Sequence, residues 1–189
     1  MPQKSQQQLR SDGKENRELM SSSARAAASQ KISEIVCNSP WFRSSETIAC
    51  YLPFAGEVDT WRTIDRALRM KKRVFAPIIE KNFCMRFREI TAATVLQTNN
   101  LGLTEPENGI FAHPRTLDVV ITPVVAFDSR YNRVGMGGGY FDRTFAFLRH
   151  RKTYFHPKLI GVAFDCQKVR EIPANPWDIR LFSVITESS

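Results

Sequence analysis

Four of the nine glycines in this chain fall within five consecutive positions, inside Arg133-Val134-Gly135-Met136-Gly137-Gly138-Gly139-Tyr140-Phe141-Asp142-Arg143. Glycine reaches φ > 0 without strain and has no Cβ to hold a ligand away. A run of such residues can turn successive N–H groups inward and cradle an anion. Beyond the glycines, Phe141, Phe145 and Leu148 recur at helical spacing, which predicts that the cradle opens into a helix N-terminus. Unpaired N–H donors and the positive end of the dipole favour phosphate there. Arg133 and Arg143 place a cation on each flank. The plain alternative is a glycine-rich hairpin or a flexible surface loop. An apolar strand ahead, a helix behind and two bracketing arginines favour the phosphate loop. It is not a P-loop, because no Gly-Lys-Ser/Thr follows. The dinucleotide pattern fails as well, since Tyr140 stands where its third glycine belongs.

The rest of the chain must position this loop. Its 189 residues suffice for one domain with a real core. Positions 1–189 are read as that single domain, with 1–20 a partly flexible leading segment. A hydrophobic share of 42% and a charged share of 24% are ordinary for a soluble globular protein. The net charge of +8, from 27 basic and 19 acidic residues, suggests an anionic partner. That partner could be nucleic acid, an acidic membrane or a polyanionic small molecule, and the spread of basic residues along the chain weakens the nucleic-acid reading. Cys37, Cys50, Cys84 and Cys166 form no Cys-x-x-Cys pair, and His113, His150 and His156 have no metal-ligand spacing. Idle thiols in a reducing compartment are expected. The N-terminus lacks an apolar signal core, and no apolar run is long enough to span a bilayer. A cytoplasmic, monomeric protein with no membrane and no nucleic-acid partner is the expectation.

Several elements can be read directly. A helix begins at Ser22 or Ser23, carries Ala28, Ile32, Ile35 and Val36 on one face, and stops at Pro40. A shorter leading helix is expected to break near Gly13. Thr47 to Leu52 reads as a strand closed by Pro53, and Asp59 or Thr60 can cap a helix through Trp61, Ile64 and Leu68. That helix ends in Arg69-Met70-Lys71-Lys72-Arg73, where cations complement the dipole; a nucleic-acid patch is the weaker reading. Val74 to Ile79 is a strand interrupted by Pro77, Phe83 to Ile90 an edge-like strand, and 97–108 a polar connection. Asp118 to Thr122 is a continuously apolar central strand, Leu159 to Phe164 another, and Ser183 to Thr186 a short last one. Strands alternating with helices predict a layered α/β domain whose ligand lies at the carboxyl ends of the strands.

Several stretches together resemble one family. Tyr51-Leu52-Pro53-Phe54 with Gly56 to Thr60, Leu103-Thr104-Glu105-Pro106, Thr122 to Asp128, Arg133 to Arg143, Gly161 to Asp165 and Trp177-Asp178 to Thr186 are similar to 5-formyltetrahydrofolate cyclo-ligases. The resemblance implies a three-layer α/β/α fold with a mostly parallel sheet, like sugar-phosphate isomerases and CoA-transferases. It implies ATP- and Mg²⁺-dependent conversion of 5-formyltetrahydrofolate to 5,10-methenyltetrahydrofolate, with ADP and phosphate released. The formamide oxygen is a poor leaving group, and phosphorylating it activates the formyl carbon for attack by the neighbouring nitrogen. Such transfer asks the protein for positioning and charge neutralisation.

Carried over residue by residue, the resemblance implies ATP contacts at Gln6, Arg10, Arg133, Val134, Gly135, Met136, Gly137, Gly138, Gly139, Tyr140 and Phe141. It implies folate contacts at Leu52, Glu57, Met136, Gly137, Gly138, Gly139 and Tyr140, with a glutamate suited to the adjacent N–H donors of a pterin. Asp142 would hold Mg²⁺, a hard cation that takes carboxylate, water and phosphate oxygens, with Asp178 as a helper. Arg143 is the catalytic candidate. The bland roles are a helix-terminal carboxylate for Asp142, a loop residue for Glu57 and core packing for Tyr140. A positive surface would suit the carboxylates of a folate glutamate tail.

Three positions depart from the family pattern. Its Lys-x-x-Leu-Arg motif reads Gln6-Gln7-Gln8-Leu9-Arg10, with Lys4 as a substitute cation. A metal-binding aspartate near the C-terminus reads Phe182, and Met136 stands where an aromatic or basic residue is common. The first two departures motivate an alternative, a folate- or nucleotide-binding module impaired in catalysis.

Overall fold

The computed structural model describes residues 4–80, 85–150 and 156–189. The expected 83–90 strand is therefore seen only from Met85, and Cys84 lies outside the described residues.

The chain builds helices α1 (Gln6–Glu18), α2 (Ser22–Asn38), α3 (Pro40–Ser44), α4 (Trp61–Arg69) and α5 (Tyr140–Thr144). Its main strands are β1 (Thr47–Cys50), β2 (Arg73–Ile79), β3 (Met85–Ile90), β6 (Phe111–Ala112), β7 (Val119–Pro123), β10 (Lys158–Val162) and β11 (Ser183–Ile185). They form one seven-stranded sheet in the order β11-β10-β7-β1-β2-β3-β6. The pairs from β11 to β2 are parallel, and β3 and β6 add antiparallel partners at one side. The hairpins β4 (Leu96–Thr98) with β5 (Thr104–Pro106), and β8 (Ala126–Phe127) with β9 (Arg133–Val134), stand off the sheet.

Residues alternate strictly between the faces of the central strands. Ile48, Val74, Val119, Ile121 and Ile160 pack with Ile32, Val36, Phe42 and Ile64, so α2, α3 and α4 cover one face. Ala49, Phe75, Val120 and Leu159 pack with Phe145, Ile179 and Leu181, so the α5 region and the C-terminal segment cover the other. Continuous apolar runs are what such two-sided burial requires. The expected mostly parallel sheet flanked by helices is what the chain forms.

The ends of the elements differ from expectation for local reasons. α1 does not break at Gly13. A capping box of Ser5 and Gln8 starts it, and it runs to Glu18 with Gly13 set against the Val125 carbonyl, where a Cβ would come within 2.3 Å of the oxygen. Glycine is there for close approach, not as a breaker. Pro40 does not terminate α2; α2 ends at Asn38, and Pro40 opens α3 in the first turn, where its missing N–H costs nothing. Ile35 is only half-buried, and Ser29 and Ser33 take the inner face instead, Ser33 sharing a 3.0 Å hydrogen bond with Thr63 of α4. Asp59, not Thr60, accepts from the first turn of α4, through Trp61 N at 2.9 Å, while the Thr60 hydroxyl donates to Tyr51 O.

β2 continues through Pro77 to Ile79. Ile79, on the same side of the strand, gives its N–H to the Glu105 carboxylate, so the donor that Pro77 lacks points past the end of β1 and away from β3. β3 is not the edge, because β6 pairs outside it. The stretch read as a polar connection folds into the β4–β5 hairpin, whose polar, exposed strand carried no apolar alternation to reveal it. After the glycines, α5 lasts five residues and passes into a 3-10 turn over Ala146–His150.

Candidate active site

The parallel strands all point their carboxyl ends at one rim, and α1 lies across it. Arg17 and Asn16 reach Ala55 beyond β1 and Cys166 beyond β10, and the Gly13 backbone packs against Val125 beyond β7. Beneath it opens a cleft of about 630 Å³. The glycine loop and α5 form one wall; Leu52, Phe54 and Glu57 form a second; Leu101, Leu103 and Glu105 of the β4–β5 hairpin, with Met85, close the apolar side.

The loop is shaped by steric detail. Gly139 is the N-cap of α5 at φ 65, a left-handed conformation that frees the α5 amides to face outward. The Tyr140 ring lies so close over Gly138 that a Cβ would sit 2.5 Å from it. Two arginines bracket the loop, and they are not the pair that flanks it in sequence. Arg10 gives its Nε to Gly135 O at 2.8 Å and lays its guanidinium against Gly137. Arg143 folds back to donate to Gly138 O and covers Gly139. Arg133 is committed elsewhere. Its side chain is 5% exposed, pairs with Asp142 Oδ1 at 2.9 Å and donates to Ile179 O.

Asp142 Oδ1 also accepts the Ile179 N–H at 3.0 Å, while Oδ2 takes no hydrogen bond among the described residues. One carboxylate oxygen at the cleft wall therefore remains for a hard cation. Asp178 is differently placed. Its Oδ2 accepts from Gln6 Nε2 at 2.8 Å and from Asn175 N at 2.8 Å. Among the described residues no cluster of three or more acidic, histidine or cysteine side chains offers a full ligand set. The donor set thus fits an ion held by Asp142 with water and phosphate oxygens, and not a closed protein cage.

On the opposite wall, the Glu57 carboxyl is pushed up to about 7 by burial, against the pull of the Phe54 N–H and of Arg17. Its Oε2 accepts from Phe54 N at 3.2 Å, which pins the side chain over its own turn. A mainly apolar slot holding one pinned carboxylate can bind a flat heterocycle with adjacent N–H donors.

The model of the 5-formyltetrahydrofolate cyclo-ligase family matches residues 2–187. The chain belongs to the 5-formyltetrahydrofolate cyclo-ligase family. The Haemophilus influenzae 5-formyltetrahydrofolate cyclo-ligase is 30% identical over 184 residues, covering 95% of this chain and 96% of that protein. The Escherichia coli (strain K12) enzyme of the same name is 38% identical over 148 residues, 76% of this chain and 79% of its own. The NMR structure of Aquifex aeolicus 5,10-methenyltetrahydrofolate synthetase superposes with a TM-score of 0.83 at 27% identity, over 97% of this chain and 90% of that one.

Within this cyclo-ligase family member, the cleft gathers Gln6, Arg10, Leu52, Glu57, Arg133, the loop from Gly135 to Phe141, Asp142, Arg143 and Asp178. Val134 lies behind it in β9, packed with Leu9 and Ile172. Lys4 is not among the residues that line the cleft; its Nζ is paired with Asp12 at 2.6 Å on the surface. Gln6 instead ties α1 to the C-terminal segment through Asp178 and Pro173 O. Phe182 is 47% exposed and lies under the Lys158 ammonium, away from the cleft. The basic cluster is structural in part, since Lys72 donates to Arg43 O and Arg73 pairs with Glu89 at 2.8 Å. Sequence reasoning assigned no role to Glu105, Arg149 or Trp177, which also line the cleft. Glu105 stood in a quoted motif, but its contacts with Ile79 N and Asn99 Nδ2 needed the hairpin to be seen.

Proposed function

We propose that this cleft carries out the ATP-dependent cyclisation of 5-formyltetrahydrofolate to 5,10-methenyltetrahydrofolate. The observation that carries the reading is the pairing, across one cleft, of an arginine-bracketed glycine loop with the buried Glu57 carboxylate.

The amides around Gly135 to Gly139 receive phosphate oxygens, and the Nη groups of Arg10, which make no hydrogen bond among the described residues, supply countercharge. Arg143 lies over the loop on the other side and is the second cation, the catalytic candidate. Leu52 and the loop residues Met136 and Tyr140 sandwich the pterin, and Glu57 as carboxylate accepts from its N–H edge. Held so, the formyl oxygen takes the γ-phosphoryl group and ADP leaves. The second amine then bonds to the formyl carbon, loses its proton, and expels phosphate to give the methenyl cation. The protein contributes orientation and charge, which is what phosphoryl transfer needs. Asp142 Oδ2 would hold Mg²⁺, which neutralises charge on the transferring phosphate when bound.

The free thiols at Cys37, Cys50 and Cys166 support a reducing, cytoplasmic setting, and we read the protein as a monomer there. No helix among the described residues is long and apolar enough to cross a membrane. The test is direct: purified protein mixed with ATP, Mg²⁺ and 5-formyltetrahydrofolate should generate methenyl absorbance and stoichiometric ADP. Tight folate binding without substrate-dependent ADP would instead mark the impaired binding module, and neither would overturn both readings.

A further inference from the structure

We infer that Arg17 is a positioning residue for the folate side of the cleft, its buried guanidinium fixing the 54–57 turn so that Glu57 meets the substrate. The inference rests on the proposed folate reading and deepens it.

Arg17 lies on α1 and is 3% exposed. A buried guanidinium is retained against a large desolvation cost, so its contacts mark what it is for. Nη2 donates to Ala55 O at 2.8 Å, and Nε sits 3.8 Å from where a Gly56 Cβ would be. Nε and Nη1 have no hydrogen-bond partner among the described residues. No carboxylate forms an ion pair with it among the described residues, so its charge acts on the cleft wall at longer range.

The turn it touches is one that needs holding. Ala55 has φ 47 and Gly56 φ 74, two successive left-handed residues of which the first bears a side chain. The turn closes on itself through Glu57 N to Phe54 O at 3.1 Å and Phe54 N to Glu57 Oε2 at 3.2 Å. Arg17 grips the carbonyl at its apex. Its positive charge also favours the ionised Glu57, opposing the burial that disfavours it.

The grip is fixed in space because α1 is fixed. Arg10, Gly13 and Arg17 follow at helical spacing and reach three different loops: Gly135 O, Val125 O and Ala55 O. Asn16 adds a bond to Cys166 O at 3.1 Å. One helix therefore sets both the phosphate loop and the folate turn. Arg17 touches only the second, which makes its effect separable.

Arg17→Met keeps the buried stem and removes the cation and its hydrogen bond. KM and the calorimetric Kd for 5-formyltetrahydrofolate should rise about tenfold, the scale of one hydrogen bond from a charged group. KM for ATP and kcat should stay within about twofold, because the loop and its chemistry are untouched. Melting temperature should hold or rise, since an under-satisfied buried charge is gone. Equal folate constants in variant and wild type, or a parallel loss of both substrates, overturns the inference. If Arg17→Met does not fold, Arg17→Lys is read instead: about a threefold rise in folate KM alone is expected from a kept charge with poorer geometry. A rise in both KM values, or in neither, overturns it there. Wild-type protein that neither binds nor cyclises the folate refutes the proposed function first, and this inference with it.

Discussion

Arg133 and Asp142 are locked together across the base of the glycine loop, guanidinium Nη2 to Oδ1 at 2.9 Å, with Ile179 bonded to both through its carbonyl and its N–H. The pair closes the loop's two ends onto the C-terminal segment. Arg133 is thereby held by protein partners, and the aspartate divides its two oxygens: Oδ1 holds the fold, and Oδ2 takes no hydrogen bond among the described residues.

Asp142→Ala and Asp142→Asn should therefore behave differently. Alanine strips the buried Arg133 of its partner and should cost about 2–3 kcal/mol of stability, the range for a charge-assisted bond lost at a buried site. Asparagine keeps an acceptor for Arg133 and Ile179 and should cost less than about 1.5 kcal/mol. Both should lower kcat about a hundredfold or more if Oδ2 serves the metal. Thermal melts and Mg²⁺ titrations of turnover check this; an asparagine variant with normal Mg²⁺ dependence removes the metal role.

Glu57 gives a pH signature. Its folded pKa, about 7, stands above its unfolded value near 4.5, so the folded protein holds the proton more tightly between them. Stability from this group is accordingly lost as pH rises through that window, by up to about 3 kcal/mol. Glu57→Gln should raise the melting temperature at pH 8, with the gain shrinking toward pH 5. Folate binding should move the other way, strengthening in the wild type as the carboxylate forms and staying flat in the variant. A pH-independent difference in melting would refute the assignment.

Gly13→Ala should reverse the usual effect of alanine in a helix. Alanine is normally favoured over glycine by about 1 kcal/mol in a helix interior. Here its Cβ meets the Val125 carbonyl at 2.3 Å, so α1 must shift, at about 1–3 kcal/mol. Arg10 and Arg17 move with it, and both KM values should rise. Chemical denaturation and steady-state kinetics test the pair of effects, and a stabilised variant with unchanged KM values would refute the close approach.

The loop glycines should divide by geometry. A Cβ at Gly135 meets nothing within 4 Å, so Gly135→Ala should fold within about 0.5 kcal/mol of wild type. At Gly139 the backbone is left-handed and Arg143 Nη1 would lie 2.9 Å from a Cβ, so Gly139→Ala should lose about 1 kcal/mol or more. ATP KM should rise in both, by pocket filling in the first and by a reshaped loop in the second. Equal stabilities for the two variants would show that the turn is not strained.

What the sequence determined by itself was local or periodic. Continuous apolar runs marked β7 and β10, helical spacing marked α2 and α4, and the glycine cluster marked a loop that lines the cleft, because side-chain period and backbone freedom are written in consecutive residues. It did not reveal that Gly13 is a contact, since the Val125 carbonyl it meets is far along the chain. Nor could it tell Arg133 from Arg10. The arginine adjacent to the loop is drawn into the Asp142 ion pair, and one more than a hundred residues away takes its place beside the glycines. Lys4, Gln6 and Phe182 were equally undecided until the surface pair with Asp12, the tie to Asp178 and the exposed face under Lys158 were seen. Residue type fixes what a side chain can do, but which partner claims its charge depends on distance in space, and only tertiary structure sets that.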